Sequence, residues 1–250
     1  MRFEKLIRSP TAAPAAGGLV AAAQRDVRAE TFPVHVALAR GRTGLLVAAA
    51  ALAGFAALLA LVRANRSTAF DTAVTIRVQA EKRPWLDRLM RIVSWAGFPP
   101  QSQILPSSLP LALLLLGFPL EAAFQGLAWG VSLLSFLTKL VIRRPRPNHP
   151  KIEVVAARLG GTSFPSGHVL NYMGVYGFLA YLIETWVRPT VLRRAIAGAL
   201  LSLIALVGPS RIYLGHHYLT DVLASYLLGL CYLLGLTALY RRVKIWTGWR

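Results

Sequence analysis

Ser210-Arg211-Ile212-Tyr213-Leu214-Gly215-His216-His217-Tyr218-Leu219-Thr220-Asp221 runs directly into the apolar stretch from Val222 to Tyr240. That junction decides the fold. An apolar run of about 18 residues or more reads as a membrane span. The polar string before it therefore sits at a membrane edge. Working outward, comparable stretches occur at Gly44 to Val62, Ile104 to Phe118, Phe124 to Ile142, Val169 to Val187 and Ala195 to Gly208. The second and fifth of the six stretches are short, and their helices are expected to extend further. The composition agrees: 55% of the 250 residues are hydrophobic, more than a water-soluble domain of this size carries. The reading is an all-α integral membrane bundle of six transmembrane helices.

Residues 1–43 form a basic tail broken by Pro10, Pro14, Gly17, Gly18 and Pro33. It is expected to be flexible and cytoplasmic. Its Ala12 to Ala23 part is too interrupted by proline to be a cleaved signal. Residues 44–250 form the six-span domain. Between the first two spans, Arg63 to Gln103 is too polar to cross. Phe70 to Val74 and Pro84 to Met90 read as short interfacial helices, with Pro84 suited to a helix start and Trp85 and Trp95 to the membrane–water boundary. Cys231 lies in an apolar run and has no second cysteine to pair with.

The net charge of +18 would suggest nucleic acid in a soluble chain. Here the cations flank apolar spans, where Lys and Arg meet lipid headgroups, so no nucleic-acid partner is expected. With six spans both termini share one side, and the polar motifs share the other. The 28 Lys and Arg divide evenly between the sides. Setting aside Lys139, Arg146 and Arg211, which have a chemical reason for their places, tips the balance to the terminal side. That predicts cytoplasmic termini and an extracytoplasmic motif face.

Three strings carry chemistry: Lys139 with Arg146-Pro147, Pro165-Ser166-Gly167-His168, and Ser210-Arg211 with His217 and Asp221. Four helical steps turn about 400°, so His217 and Asp221 share a face if the last helix includes both. His216, five steps from Asp221, turns about 500° and leaves that face. A carboxylate on one imidazole nitrogen fixes the tautomer and makes the other the better nucleophile, which assigns that role to His217. A lone His–Asp pair at a membrane edge is ordinarily a structural contact; the neighbouring strings argue for chemistry. Ser166 is placed to cap the helix that follows, and Gly167 to let a phosphate oxygen approach. His168 is placed to protonate a departing alcohol and later deprotonate water. Lys139, Arg146 and Arg211 can neutralise the oxygens of a phosphoryl group in transfer. Arg143 and Arg144 read as spare cations touching the loop or headgroups. With only ten acids in the chain and no Walker-type glycine loop, metal-free and ATP-independent catalysis is expected, with no cofactor.

At these residues the chain resembles the type-2 phosphatidic acid phosphatase family, in the superfamily that includes vanadium-dependent haloperoxidases. All three family strings are complete and in order over residues 139–221. The resemblance implies a six-helix bundle with an extracytoplasmic site and a phosphohistidine on His217. It also implies Asp221 as orienter, His168 as acid and base, and Lys139, Arg146, Ser166, Gly167 and Arg211 around the phosphate. The implied substrates are membrane lipid phosphates: phosphatidic acid, phosphatidylglycerol phosphate, isoprenoid diphosphates such as undecaprenyl diphosphate, or lipid A. The expected partners are that substrate and the bilayer, without an obligate protein partner, in a bacterial inner membrane. The alternatives are a lipid phosphotransferase on the same scaffold, a haloperoxidase, and a non-catalytic lipid-binding protein.

Overall fold

The computed structural model describes residues 34–155, 160–186 and 190–247. The tail up to residue 33 lies outside the described residues. The described chain is all helical: α1 (Val34–Arg63), α2 (Thr68–Gln79), α3 (Pro84–Trp95), α4 (Gln101–Leu115), α5 (Pro119–Trp129), α6 (Val131–Val141), α7 (Gly167–Asn171), a π-helical turn (Tyr172–Tyr176), α8 (Gly177–Trp186), α9 (Val191–Tyr213) and α10 (Leu219–Trp246). Among the described residues, four segments are long and apolar enough to cross a membrane: Gly41–Arg63, Pro119–Val141, Val191–Tyr213 and Leu219–Trp246. Their outer faces are apolar. Leu45 and Leu46 are each 73% exposed and Val141 is 68% exposed, a surface that lipid covers and water does not. The chain is a membrane protein.

The other two expected spans have local reasons for standing apart. α4 holds only 15 residues and contains Pro106 and Pro110. The stretch from Gly167 to Trp186 is interrupted by the π-helical turn. There the Val175 carbonyl accepts a hydrogen bond from Gln125 Nε2 at 3.0 Å, so a side chain of α5 serves a backbone group of the wider turn.

α10 is the central post. α1 runs along it, and the π-helical turn packs on its middle. Phe124, Phe178, Leu182, Leu236 and Tyr240 bury one end of the bundle, with Phe124, Phe178 and Tyr240 in mutual ring contact. Val93, Val169, Tyr172, Val207, Ile212 and Val222 form an apolar floor near the other end, joining α3 to α9 and α10. α2 and α3 cover that end, with Pro84 opening α3 as expected. Gln79 of α2 laces the cover to the bundle. Its Nε2 donates to the carbonyls of Glu153 at 2.7 Å and Tyr213 at 2.8 Å, and its Oε1 accepts from Glu153 N at 2.9 Å.

Candidate active site

The helix of the fifth apolar stretch extends beyond Gly208, as expected, and Pro209 lies inside it. Arg211 therefore lies in the last turn of α9 rather than past the span. A proline leaves the carbonyl four residues earlier without its donor. Here Tyr226 Oη of α10 shares its single hydrogen between that carbonyl, Ala205 O, at 2.9 Å, and Ile204 O at 2.7 Å. Gly208 N in turn donates to Tyr226 Oη at 2.9 Å.

α9 then closes in a Schellman turn. Gly215 takes φ +71°, a left-handed conformation that favours glycine, and a Cβ there would stand 2.3 Å from Glu153 O. Gly215 N donates to Ile212 O, and His216 N to Arg211 O, each at 3.0 Å. The turn folds the chain back so that Arg211 and His216 meet: Arg211 Nη2 donates to His216 Nδ1 in a short contact. His216 Nε2–H donates to Val155 O at 2.8 Å, which fixes the tautomer with Nδ1 as acceptor. Arg211 Nη1 donates to Ser94 Oγ of α3 at 2.6 Å.

His217 precedes α10 instead of lying within it, so the shared-helix-face argument does not describe the local geometry. The pairing arises from the turn: His217 Nδ1 lies 3.6 Å from Asp221 Oδ2, just outside hydrogen-bond range. Asp221 Oδ2 accepts from Tyr218 N at 3.0 Å and so caps the start of α10. His217 Nε2 faces away, 3.3 Å from Arg146 Nη1. Arg146 is anchored by donating from Nη1 to His216 O at 2.9 Å.

Arg144 is the principal correction to the sequence reading. It is not a spare surface cation. Nη1 donates to Asp221 Oδ1 at 2.6 Å, and Nη2 to Asp71 Oδ2 at 2.7 Å, with the Arg144 side chain only 7% exposed. Burial disfavours its charge, but Asp221 and Asp71 outweigh that and hold the guanidinium more firmly protonated than usual.

Ser166 also differs from expectation. Its side chain makes no capping bond at the start of α7, although its backbone N donates to Ser225 Oγ at 2.7 Å. A Cβ on Gly167 would meet only Ser135 Oγ, at 3.6 Å, so packing alone does not demand glycine there. His168 sits against Phe98, ring centroids 4.9 Å apart and edge to face. The same Phe98 ring stands 5.9 Å from that of His216 and lies under the Arg211 guanidinium, 4.9 Å away. Gly97 is required beside it: a Cβ would fall 2.1 Å from His168 Cδ2.

Lys139, near the end of α6, donates to Thr162 O at 3.2 Å and lies within electrostatic reach of Arg146, Arg211 and Asp221. His217 is surrounded accordingly. Burial first, then Arg211, Arg146, Lys139 and His216, push its proton affinity well below the ordinary histidine value. Its imidazole is therefore neutral at pH 7. Ser166 Oγ, His168 Nε2, Arg211 Nε and His217 Nδ1 are all buried without a hydrogen-bond partner. Such atoms normally find one. Four of them at one membrane edge make a site prepared for a polar ligand. Among the described residues, no three of His, Cys, Asp and Glu group in a way that could hold a metal ion.

Residues 112–245 match the PAP2 superfamily. The chain belongs to the PAP2 superfamily. Phosphatidylglycerophosphatase B of Bacillus subtilis (strain 168) is 30% identical over 185 residues, covering 70% of this chain and 86% of that relative. Among solved structures, a transmembrane PAP2-type phosphatidylglycerolphosphate phosphatase from Bacillus subtilis superposes with a TM-score of 0.67 at 26% identity, covering 78% of this chain and 97% of the other. LpxE of Aquifex aeolicus shares the fold, with a TM-score of 0.52 at 21% identity over 66% of this chain and 93% of its own.

In this PAP2 chain, the site also contains groups that sequence reasoning missed: Asp71, Ser94, Phe98, Arg144 and His216. Asp71 carried a usable signal. It is one of ten acids, and the charged residue of the short helix read at Phe70 to Val74. Ser94 and Phe98 carried none, because their partners lie far along the chain.

Proposed function

We propose that the chain is a membrane lipid phosphatase that removes phosphate through a covalent phosphohistidine on His217, with no metal or cofactor. Its phosphatase class follows from the superfamily and the phosphatidylglycerophosphatase relative. The mechanism rests on one observation. The buried His217 presents Nε2 to Arg146 Nη1 at 3.3 Å, one Phe98 ring touches both His168 and Arg211, and polar atoms of His168, Arg211 and His217 are left without partners.

In the proposed reaction, Lys139, Arg146 and Arg211 hold the phosphoryl oxygens, with Ser166 and the backbone at Gly167 closing the cradle. Asp221 holds the proton on His217 Nδ1, and Nε2 attacks phosphorus with its lone pair. As the P–N bond forms, the P–O bond to the lipid breaks, and His168, which takes up a proton when the phosphate anion binds beside it, delivers that proton to the departing oxygen. His168 then takes a proton from water. The water oxygen attacks phosphorus, the P–N bond breaks, and His217 returns to its neutral form with inorganic phosphate released. A neutral resting His217 is what the first step needs.

The membrane arrangement is part of the proposal. Six crossings would comprise the four long segments, α4 with its flanking residues, and the interrupted stretch from Gly167 to Trp186. α2 and α3 would lie on the bilayer at the site end. Residues 1–43 would lie on the cytoplasmic side, although α1 already begins at Val34 and not after residue 43 as the sequence suggested; both termini would be inside, and the site would face outward from a bacterial inner membrane. The Bacillus subtilis relative and the Bacillus subtilis structure are both named for phosphatidylglycerol phosphate, which puts that lipid first among substrates.

The test is phosphate release by purified protein in detergent from phosphatidylglycerol phosphate, phosphatidic acid, undecaprenyl diphosphate and lipid A, with His217→Ala alongside. Release by the parent but not the variant, unaffected by EDTA, is expected. Equal release by both, or full loss on chelation, sinks the mechanism.

A further inference from the structure

The proposed chemistry leaves one buried cation without a task. Arg144 lies between two carboxylates that are both fully buried, Asp71 of α2 and Asp221 of α10. Its neighbours complete a closed network. Nη1 also donates to Thr220 Oγ1 at 2.8 Å, and Nη2 to Ser67 Oγ at 3.1 Å. Thr220 donates to Asp71 twice, from N to Oδ1 at 3.0 Å and from Oγ1 to Oδ2 at 2.7 Å. The guanidinium stacks 4.4 Å over the Tyr218 ring. Asp71 therefore caps α10 from a different helix, at the turn that presents His217.

The two oxygens of Asp221 are divided by this network. Oδ1 belongs to Arg144. Oδ2 is left for Tyr218 N and for the approach of His217 Nδ1. A carboxylate this deeply buried needs a cation to remain ionised and a fixed partner to hold its rotation. Arg144 supplies both, and its two terminal nitrogens are already committed to carboxylates, away from the cluster of Lys139, Arg146 and Arg211.

We infer that Arg144 is a positioning residue for the phosphoryl transfer, keeping Asp221 charged and turned so that Oδ2 faces His217 Nδ1, while Asp71 anchors it from the opposite side. The inference rests on the phosphohistidine reading. Asp71 competes with Asp221 for the same guanidinium, so the pair sets how much negative charge His217 experiences.

The experiment compares Arg144→Lys and Asp71→Asn with the parent, measuring kcat, KM and the pH profile of kcat/KM on one lipid phosphate. The substrate's own ionisation then cancels. Arg146, Lys139, Arg211, His168 and His216, the other charged or titratable groups facing His217, are unchanged in both variants. A lysine keeps the charge but cannot bridge both acids. Arg144→Lys is expected to lower kcat about tenfold or more with KM within about twofold, and to move the acid limb to higher pH, because Asp221 is less fully neutralised. Asp71→Asn gives Arg144 wholly to Asp221 and is expected to move the limb to lower pH, with a smaller loss of kcat. A raised KM with kcat intact in Arg144→Lys would place Arg144 on the phosphate and overturn the inference. Folded variants with parental kcat and an unmoved limb, or variants that lower only the yield of folded protein, would reduce the network to a structural staple. Failure of the parent enzyme to release phosphate from any lipid sinks the phosphatase reading instead.

Discussion

The two ends of α10 each bury an acid beside a cation, and they differ in what is left over. At the far end, Glu121 of α5 accepts from Tyr240 Oη at 2.7 Å and from Lys244 Nζ at 3.3 Å, and Lys244 also donates to Tyr240 Oη at 3.0 Å. At the near end, Asp221 is equally engaged, but the groups around it include four buried polar atoms without partners. Buried unsatisfied groups are costly unless a ligand uses them. The difference separates a fastening from a site: similar chemistry, closed in one place and open in the other.

The most forceful way to break that comparison is at the imidazoles. His217→Ala is expected to lower phosphate release by on the order of ten-thousandfold or more, and His168→Ala nearly as far, with both proteins still inserted. Retention of a tenth of the activity in His217→Ala would remove the nucleophile. Arg211→Ala should cost about a hundredfold or more in kcat, since it deletes charge at developing phosphoryl oxygens. Gly97→Ala sharpens the same point without touching a polar group. Its methyl would occupy the place of the His168 ring. A loss of about tenfold or more in kcat is expected, together with a melting midpoint lower by several degrees from the overpacking. An active Gly97→Ala enzyme would mean that His168 is free to move without consequence.

How much of this was legible beforehand varies by residue. Lys139, Arg146, His168, Arg211, His217 and Asp221 could be singled out as candidates because a phosphoryl group calls for such cations and bases, and the strings repeat a family pattern. Their three-dimensional supports were not. Arg144 meets Asp71 and Asp221 across 73 and 77 residues of chain, distances at which no local pattern operates. Helix continuity through Pro209 depended on Tyr226, seventeen positions further on. The pairing of His217 with Asp221 was anticipated for a reason that does not apply, since a Schellman turn and an N-terminal cap bring them together instead of one helix. The all-helical membrane class was plain in the apolar runs, whereas the π-helical turn and the two prolines of α4 were invisible to a count of hydrophobic residues.

The pH profile offers a finer test. Burial and the surrounding cations hold the proton affinity of His217 well below its ordinary value. In the proposed mechanism the neutral imidazole is the reactive form. Activity limited by its protonation is therefore fully present at pH 7 and lost only as pH falls well below 6.5. Arg146→Gln removes one of the cations that depress it. The proton affinity must rise, and the acid limb of kcat/KM should move to higher pH by less than about one unit, alongside a weaker hold on phosphate. A limb that moves to lower pH, or not at all, contradicts an electrostatic role for Arg146 at His217.

The smallest effect on catalysis should come from the closed end. Glu121→Gln keeps an oxygen that can accept from Tyr240 but deprives Lys244 of its counter-charge. Because Lys244 remains partly exposed, with 23% of its side chain accessible, it can turn to solvent or headgroups, so the cost should be about 1 kcal/mol and not the several expected for a stranded buried charge. That predicts a melting midpoint in detergent lower by about 2–4 °C, with kcat and KM within about twofold of the parent. The same variant with an intact midpoint and lost activity would show that the far end of α10 does more than fasten the bundle. It would also mean that bonds from a tyrosine and a lysine are no guide to which buried acid is structural.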